Sequence, residues 1–345
     1  VTRSRWFRAA IATVVVAVCY GWVLPAFASY GDVLDQLGPR LGSIPVATAT
    51  VLTVVTAANL VAPSMSQIAV LPSLSLRRAV WADWASSAVT NLLPGGSALA
   101  IGLTWSMYRS FGLASTAIAR SVVVTGVWDA LVKLGTPMLA LAWLSTQRPV
   151  SPTLVQAALV GAVLFAIAAV LTVTLLAGPG SATAIGRLVD RLPVLGHGWS
   201  RRLNDLRTET IELLGQRGRG LTLWTVAGHA NLFVLLVVCL RVVGVERSVL
   251  GWAPVLAAFA FGRLVTAIPV TPGGLGVMEV GLTGALGAVG QADTALVVAA
   301  VLLFRLLTFA LPTALGAIGF LWWQFGPPTG KRQGPQSSVA KPSIT

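Results

Sequence analysis

Val270-Thr-Pro-Gly-Gly-Leu-Gly276 interrupts one apolar stretch of the chain, and Asn91-Leu-Leu-Pro-Gly-Gly-Ser97 interrupts another far from it. A Gly-Leu-Thr triplet follows each Pro-Gly-Gly at nearly the same distance, Gly102-Leu103-Thr104 after the first and Gly281-Leu282-Thr283 after the second. Irregular backbone at membrane depth leaves N–H and C=O groups without water, at several kcal/mol each, and is tolerated only where protein wraps it or a cavity adjoins it. Interrupted apolar segments in matching positions of two halves mark the binding site of a transporter-type fold.

The surrounding composition sets the class. Hydrophobic residues make up 55% of the 345 residues and charged residues 10%, well below the roughly 25% charged of soluble domains. Residues 9–31, 41–76, 84–108, 149–186, 220–240 and 306–330 carry no Asp, Glu, Lys or Arg, and each window is long enough for the about 20 residues that a spanning helix needs. The expected fold is an all-α polytopic membrane protein with about six full spans and two broken, re-entrant hairpins arranged as an inverted repeat. One transmembrane domain is expected over residues 1–326, with halves of about 1–148 and 149–326, and a disordered tail rich in Pro, Gly, Ser and Gln over 327–345.

Lys and Arg accumulate on the cytoplasmic side of a membrane. Arg3, Arg5 and Arg8 therefore put the N-terminus inside. Spans are expected at about 9–29, 46–71, 115–145, 152–177, 222–243 and 294–323, with the hairpins at about 79–110 and 250–291. The connection over about 179–221 mixes Arg187, Arg191, Arg201, Arg202, Arg207, Arg217 and Arg219 with four acids, which suits a cytoplasmic, amphipathic helical loop. Both termini come out cytoplasmic, at a bacterial-type plasma membrane. Ala26-Phe27-Ala28 after an apolar run resembles a signal-peptide end, but the run exceeds a signal core of about 7–15 residues, so a retained helix is expected.

Charged side chains at membrane depth are the functional candidates, because each needs a partner, a cavity or an interface. Asp129 and Lys133 stand four apart, acid first, the favourable order for an intrahelical pair; a structural pair and a functional one predict the same spacing. Glu279 falls in the first turn after the second break, where the helix dipole stabilises a carboxylate, or faces a polar path and pairs with Arg305 or Arg263. Pro94, Gly95 and Gly96, and Pro272, Gly273, Gly274 and Gly276, permit tight backbone that exposes helix-start N–H groups, a fit for phosphate. Asn91 caps freed backbone or meets a headgroup. Cys19, Cys239, His197 and His229 lack ligand spacing and read as packing residues, so no metal or cofactor is expected. Trp6, Trp81, Trp84, Trp143, Trp252, Trp322 and Trp323 lie near helix ends and read as interfacial anchors.

Asn91-Leu-Leu-Pro94 with Gly102, the later Asp129, the segment Ile268-Pro-Val-Thr-Pro-Gly-Gly-Leu-Gly-Val-Met-Glu279, and Leu303-Phe-Arg305 with Pro312 and Gly316 together resemble the transmembrane, flippase-like domain of bacterial lysylphosphatidylglycerol synthetases and their stand-alone relatives. The resemblance implies a domain that moves phospholipids, anionic or amino-acylated, between leaflets, without the soluble aminoacyltransferase domain. It implies membrane phospholipids as partners, with a separate lipid-modifying enzyme as a possible companion. The net charge of +13 fits an anionic membrane surface rather than nucleic acid. Two other readings remain: a transferase acting on a lipid-linked substrate, for which no metal cluster or P-loop speaks, and a non-transporting accessory subunit.

Overall fold

The computed structural model describes residues 44–93, 95–147, 149–150, 152–190, 198–265 and 271–325, together with Gly38 and Gly42. The first expected span, His197, Pro94 and the tail lie outside the described residues.

α1 (Val46–Val70) is an uncharged run of 25 residues behind Pro45, about 37 Å of helix, enough to cross about 30 Å of hydrocarbon. α2 (Leu76–Leu92) and α3 (Gly96–Ser110) form the first broken hairpin, with Gly95 at φ 66° between them. α4 (Ser115–Ser145) and α5 (Pro152–Ala177) follow, then α6 (Pro179–Asp190). α7 (Trp199–Val242) is one helix of 44 residues. α8 (Trp252–Val265) and α9 (Val277–Val289) flank the second break, whose Pro272–Gly274 turn is 3₁₀. α10 (Thr294–Arg305) passes through a π segment, Leu306–Ala310, into α11 (Leu311–Phe325).

Five helices are long and apolar enough to cross a membrane, the last being α10 and α11 taken together. They coincide with five of the six expected spans. The sixth, at about 9–29, falls outside the described residues. The arms of the two hairpins are shorter: α2 has 17 residues, α3 15, α8 14 and α9 13, or about 20 to 25 Å at 1.5 Å per residue.

In one respect the chain departs from expectation. The polar connection after α5 does not end before the next span; from Trp199 onward it is the first half of α7. Gly215, Gly218 and Gly220 cost the helix about 1 kcal/mol each but do not break it, because no proline intervenes and Glu, Arg, Gln and Leu around them are strong helix formers. α6 folds back on α7, where the Asp190 carboxylate accepts from the Trp199 backbone N–H at 2.9 Å and the Ser200 hydroxyl at 3.1 Å. Arg120 of α4 pairs with Glu209 of α7 at 3.0 Å.

Small residues set the close crossings, as they do where no water-driven force brings helices together. Ala79, Ala82, Ala85 and Ala88 give α2 a buried stripe. Against it lie Gly316, where a Cβ would strike the Trp84 carbonyl, and Gly319, where it would meet the Trp81 ring. α1 lies along α7, with Ala62 against Gly228 and Ala69 against Gly220, and Asn231 donates to the Val55 carbonyl at 3.1 Å.

Four apolar clusters result among the described residues, two of them large. One gathers Leu235–Val245 of α7 and its following turn with α8, α9 and α10. The other gathers the end of α1, the start of α2, the end of α3, the start of α4, and Leu213 and Leu221 of α7. Along α7, His229 falls between them. Cys239 packs fully buried in the first cluster, as a small hydrophobe should. Trp81 and Trp84 meet edge to face at 5.5 Å, Trp81 against Gly319, and the Trp84 indole donates to the Leu60 carbonyl at 2.8 Å.

Candidate polar chamber at the paired breaks

The second break is a tied knot of backbone. Gly273, Gly274 and Gly276 have φ of 57°, 69° and 77°, a region that residues with a Cβ avoid. The Gly274 N–H donates to the Thr271 carbonyl at 3.0 Å, and the Thr271 hydroxyl donates to the Leu275 carbonyl at 2.9 Å. Arg305 closes the knot from α10. Its Nε donates to Glu279 at 2.8 Å, its Nη2 donates to the Gly273 carbonyl at 3.0 Å, and its guanidinium lies 4.6 Å from the centre of the Phe309 ring. Glu279 bonds Arg305, one of the two partners that the sequence offers it, and both side chains are largely buried, at 16% and 9% exposure.

The first break meets the second. A Cβ on Gly273 would lie 2.9 Å from the Asn91 side-chain oxygen, and Asn91 donates through Nδ2 to the Thr313 hydroxyl at 2.8 Å. Thr313 in turn donates to the Phe309 carbonyl inside the π segment. The π segment is where the helix steps aside for Pro312, which has no N–H to give to the Thr308 carbonyl.

Both breaks front one cavity of about 750 Å³, bordered by Asn91, Gly95 and Gly96 from the first, Gly273 and Gly274 from the second, and Arg305. Asp83, Lys133 and Arg263 also border it. A second cavity, of about 500 Å³, adjoins it and reaches Gln67, Asp129 and His229. Asn59, Pro63, Asp83, Thr90 and Arg263 border both. A third concavity, about 900 Å³ between α4 and α5, has no charged lining residue and suits contact with lipid chains.

The embedded charges on α4, α7 and α8 form a chain. Lys133 Nζ is 2.8 Å from one Asp129 oxygen, His229 Nε2 is 2.9 Å from the other, and Arg263 Nη2 is 3.4 Å from His229 Nδ1. The i,i+4 pair expected of Asp129 and Lys133 is formed, and it extends to two further helices. His229, read from sequence as a packing residue, belongs to this polar chain; its helix face beside Asn231 offers no ligand pattern that announces it.

Asp83 is the residue that sequence reading passed over. It sits six positions past Arg77 and one before an uncharged window, so it resembles the end of a loop. In the fold it is two turns inside α2 and borders both cavities. Of the other candidates, Pro272 and Gly276 belong to the second break, and Pro94 lies outside the described residues.

The arrangement is that of a multi-pass membrane protein with a polar chamber between two interrupted helical hairpins. The family described as lysylphosphatidylglycerol synthase TM region matches residues 5–316, and the chain belongs to that family. No curated protein and no solved structure matches it.

Proposed function

We propose that this protein is a phospholipid translocase, in which the headgroup of an anionic or amino-acylated phospholipid enters the 750 Å³ chamber while the acyl chains stay in the bilayer. The observation that carries the reading is that both breaks and three basic side chains, Lys133, Arg263 and Arg305, border one cavity. Its volume falls within the about 300–1,000 Å³ of small-molecule sites. Arg263 is the phosphate anchor in this mechanism, since a guanidinium presents a rigid fork of donors that matches a phosphate, and the start of α3 at Gly96 adds the positive end of a half-helix.

Arms too short to span, one pair in each half, support hairpins that enter and return, and an inverted repeat that opens the chamber to either leaflet in turn. Internal pairing of Glu279 with Arg305 and of Asp129 with Lys133 supports binding and gating over catalysis. A plasma-membrane location with Arg77, Arg78, Arg120 and the first half of α7 facing the cytoplasm accords with the clustering of basic residues.

The test uses vesicles carrying tail-labelled phosphatidylglycerol, with leaflet transfer followed by an added quencher. Wild-type protein is expected to speed transfer over empty vesicles, and Arg263→Gln to slow it by about tenfold or more, the scale of one charge-assisted hydrogen bond. Wild-type transfer equal to that of empty vesicles, or an Arg263→Gln variant as fast as wild type, refutes the proposal.

A further inference from the structure

The chamber is lined unevenly. Basic groups come from α4, α8 and α10, whereas the wall built by α1 and α2 presents oxygen acceptors. Asp83 is the acid on that wall, and its carboxylate makes no hydrogen bond or ion pair among the described residues, while Glu279, Asp129 and Glu209 are each bonded to a cation. Asn59 borders the same two cavities. Pro63 lies four residues on, inside α1, and has no N–H, so the Asn59 carbonyl loses its α-helical donor. The two residues sit at a fixed crossing, because the neighbour of Asp83, Trp84, donates its indole N–H to the neighbour of Asn59, Leu60, at 2.8 Å. Thr90 borders the same two cavities.

A carboxylate and a proline-released carbonyl beside a membrane cavity are hard oxygen ligands, the set that broken transporter helices use for small cations. A bare carboxylate at membrane depth is costly unless a proton or another cation joins it. We propose that Asp83 and Asn59 form a binding subsite for a monovalent cation at the neck between the two cavities. The cation is either a free alkali ion or the ammonium of a lipid headgroup; both present the same charge to the same oxygens. Placed there, it neutralises Asp83 in a chamber that Arg263 also borders, so a cation and an anion can occupy the chamber together. The inference goes beyond lipid translocation, and its test reads cation binding alone.

Purified protein in detergent at constant ionic strength and pH is titrated with sodium chloride, ethanolammonium chloride or choline chloride, choline being too bulky and without N–H donors. Thermal unfolding reports binding, since a ligand held only by the folded state raises the midpoint as its concentration passes the dissociation constant. A saturable rise is expected with sodium or ethanolammonium and not with choline. Response to sodium names a free ion as the source, and response to ethanolammonium alone names the headgroup. Asp83→Asn is expected to weaken the response about tenfold or more, and Asp83→Glu, which keeps the charge, to retain it within a few fold. The proposal is overturned by a wild type that responds to neither cation or responds equally to choline, or by an Asp83→Asn protein that responds as wild type does. An Asp83→Asn protein that is not monodisperse is replaced by Pro63→Ala, which keeps the acid and gives the Asn59 carbonyl back its helical donor. An unchanged response there overturns the two-residue subsite.

Discussion

Replacing Arg305 by methionine removes the clamp of the second break while keeping most of the side-chain volume. Three interactions end at once: the 2.8 Å bond to Glu279, the 3.0 Å bond to the Gly273 carbonyl and the stacking on Phe309. Removing one partner of a buried ion pair costs about 3–5 kcal/mol, because the other charge loses its counter-ion inside the protein. Both side chains here are mostly inside the protein, so the loss belongs in that range. In Glu279→Gln the guanidinium still has the Gly273 carbonyl and Phe309, and the loss should be smaller. In the double variant Glu279→Gln, Arg305→Met no orphaned charge remains, and stability should recover by about 1–3 kcal/mol relative to the sum of the singles. Thermal unfolding in one detergent, followed by tryptophan fluorescence, supplies the cycle. Arg305→Met is expected to lower the midpoint by about 5 °C or more. A change below about 1 °C, or strictly additive singles, refutes the clamp.

Gly316→Ala puts a methyl group into the Trp84 carbonyl at the crossing of α2 and α11, and overpacking of this kind costs about 1–3 kcal/mol; Gly284→Ala, with nothing within 4 Å of its new Cβ, should be neutral or stabilising in the same unfolding assay. The Trp199 N–H and the Ser200 hydroxyl hold the exposed Asp190 carboxyl below its ordinary range. A depressed folded value means that the stabilisation is present above the ordinary carboxylate range, about pH 4, and fades as pH falls through the folded value. Asp190→Asn should therefore raise hydrogen exchange at the start of α7 relative to wild type at pH 7, with the difference shrinking under acid.

Most of the scaffold was readable because a span announces itself through length and the lack of charge. α1, α4 and α5 lie within about a residue of their expected bounds, and both interruptions fall at their Pro-Gly-Gly steps. What depended on contact between distant segments was not readable. Nothing in the sequence near His229 names Asp129 as its partner, a hundred residues earlier. Arg305 and Glu279 were in view as a pair, yet the third contact, to the Gly273 carbonyl, follows only from the path of the knot. Asp83 was missed for a different reason: a short helix arm of low hydropathy packed within a bundle looks, residue by residue, like the rim of a membrane segment. The unbroken α7 eluded the reading because a polar helix and an apolar one joined end to end carry no mark at the join.

The internal pairing has an electrical consequence. Moving one elementary charge through a potential of 100 mV is worth about 2.3 kcal/mol. Glu279 with Arg305, and Asp129 with Lys133, are opposite charges held within 2.8 Å. A rearrangement that carries each couple as a unit displaces no net charge, so the membrane voltage does no work on those segments. Any voltage dependence of this protein must then arise from what enters the chamber or from the side chains that remain outside these couples.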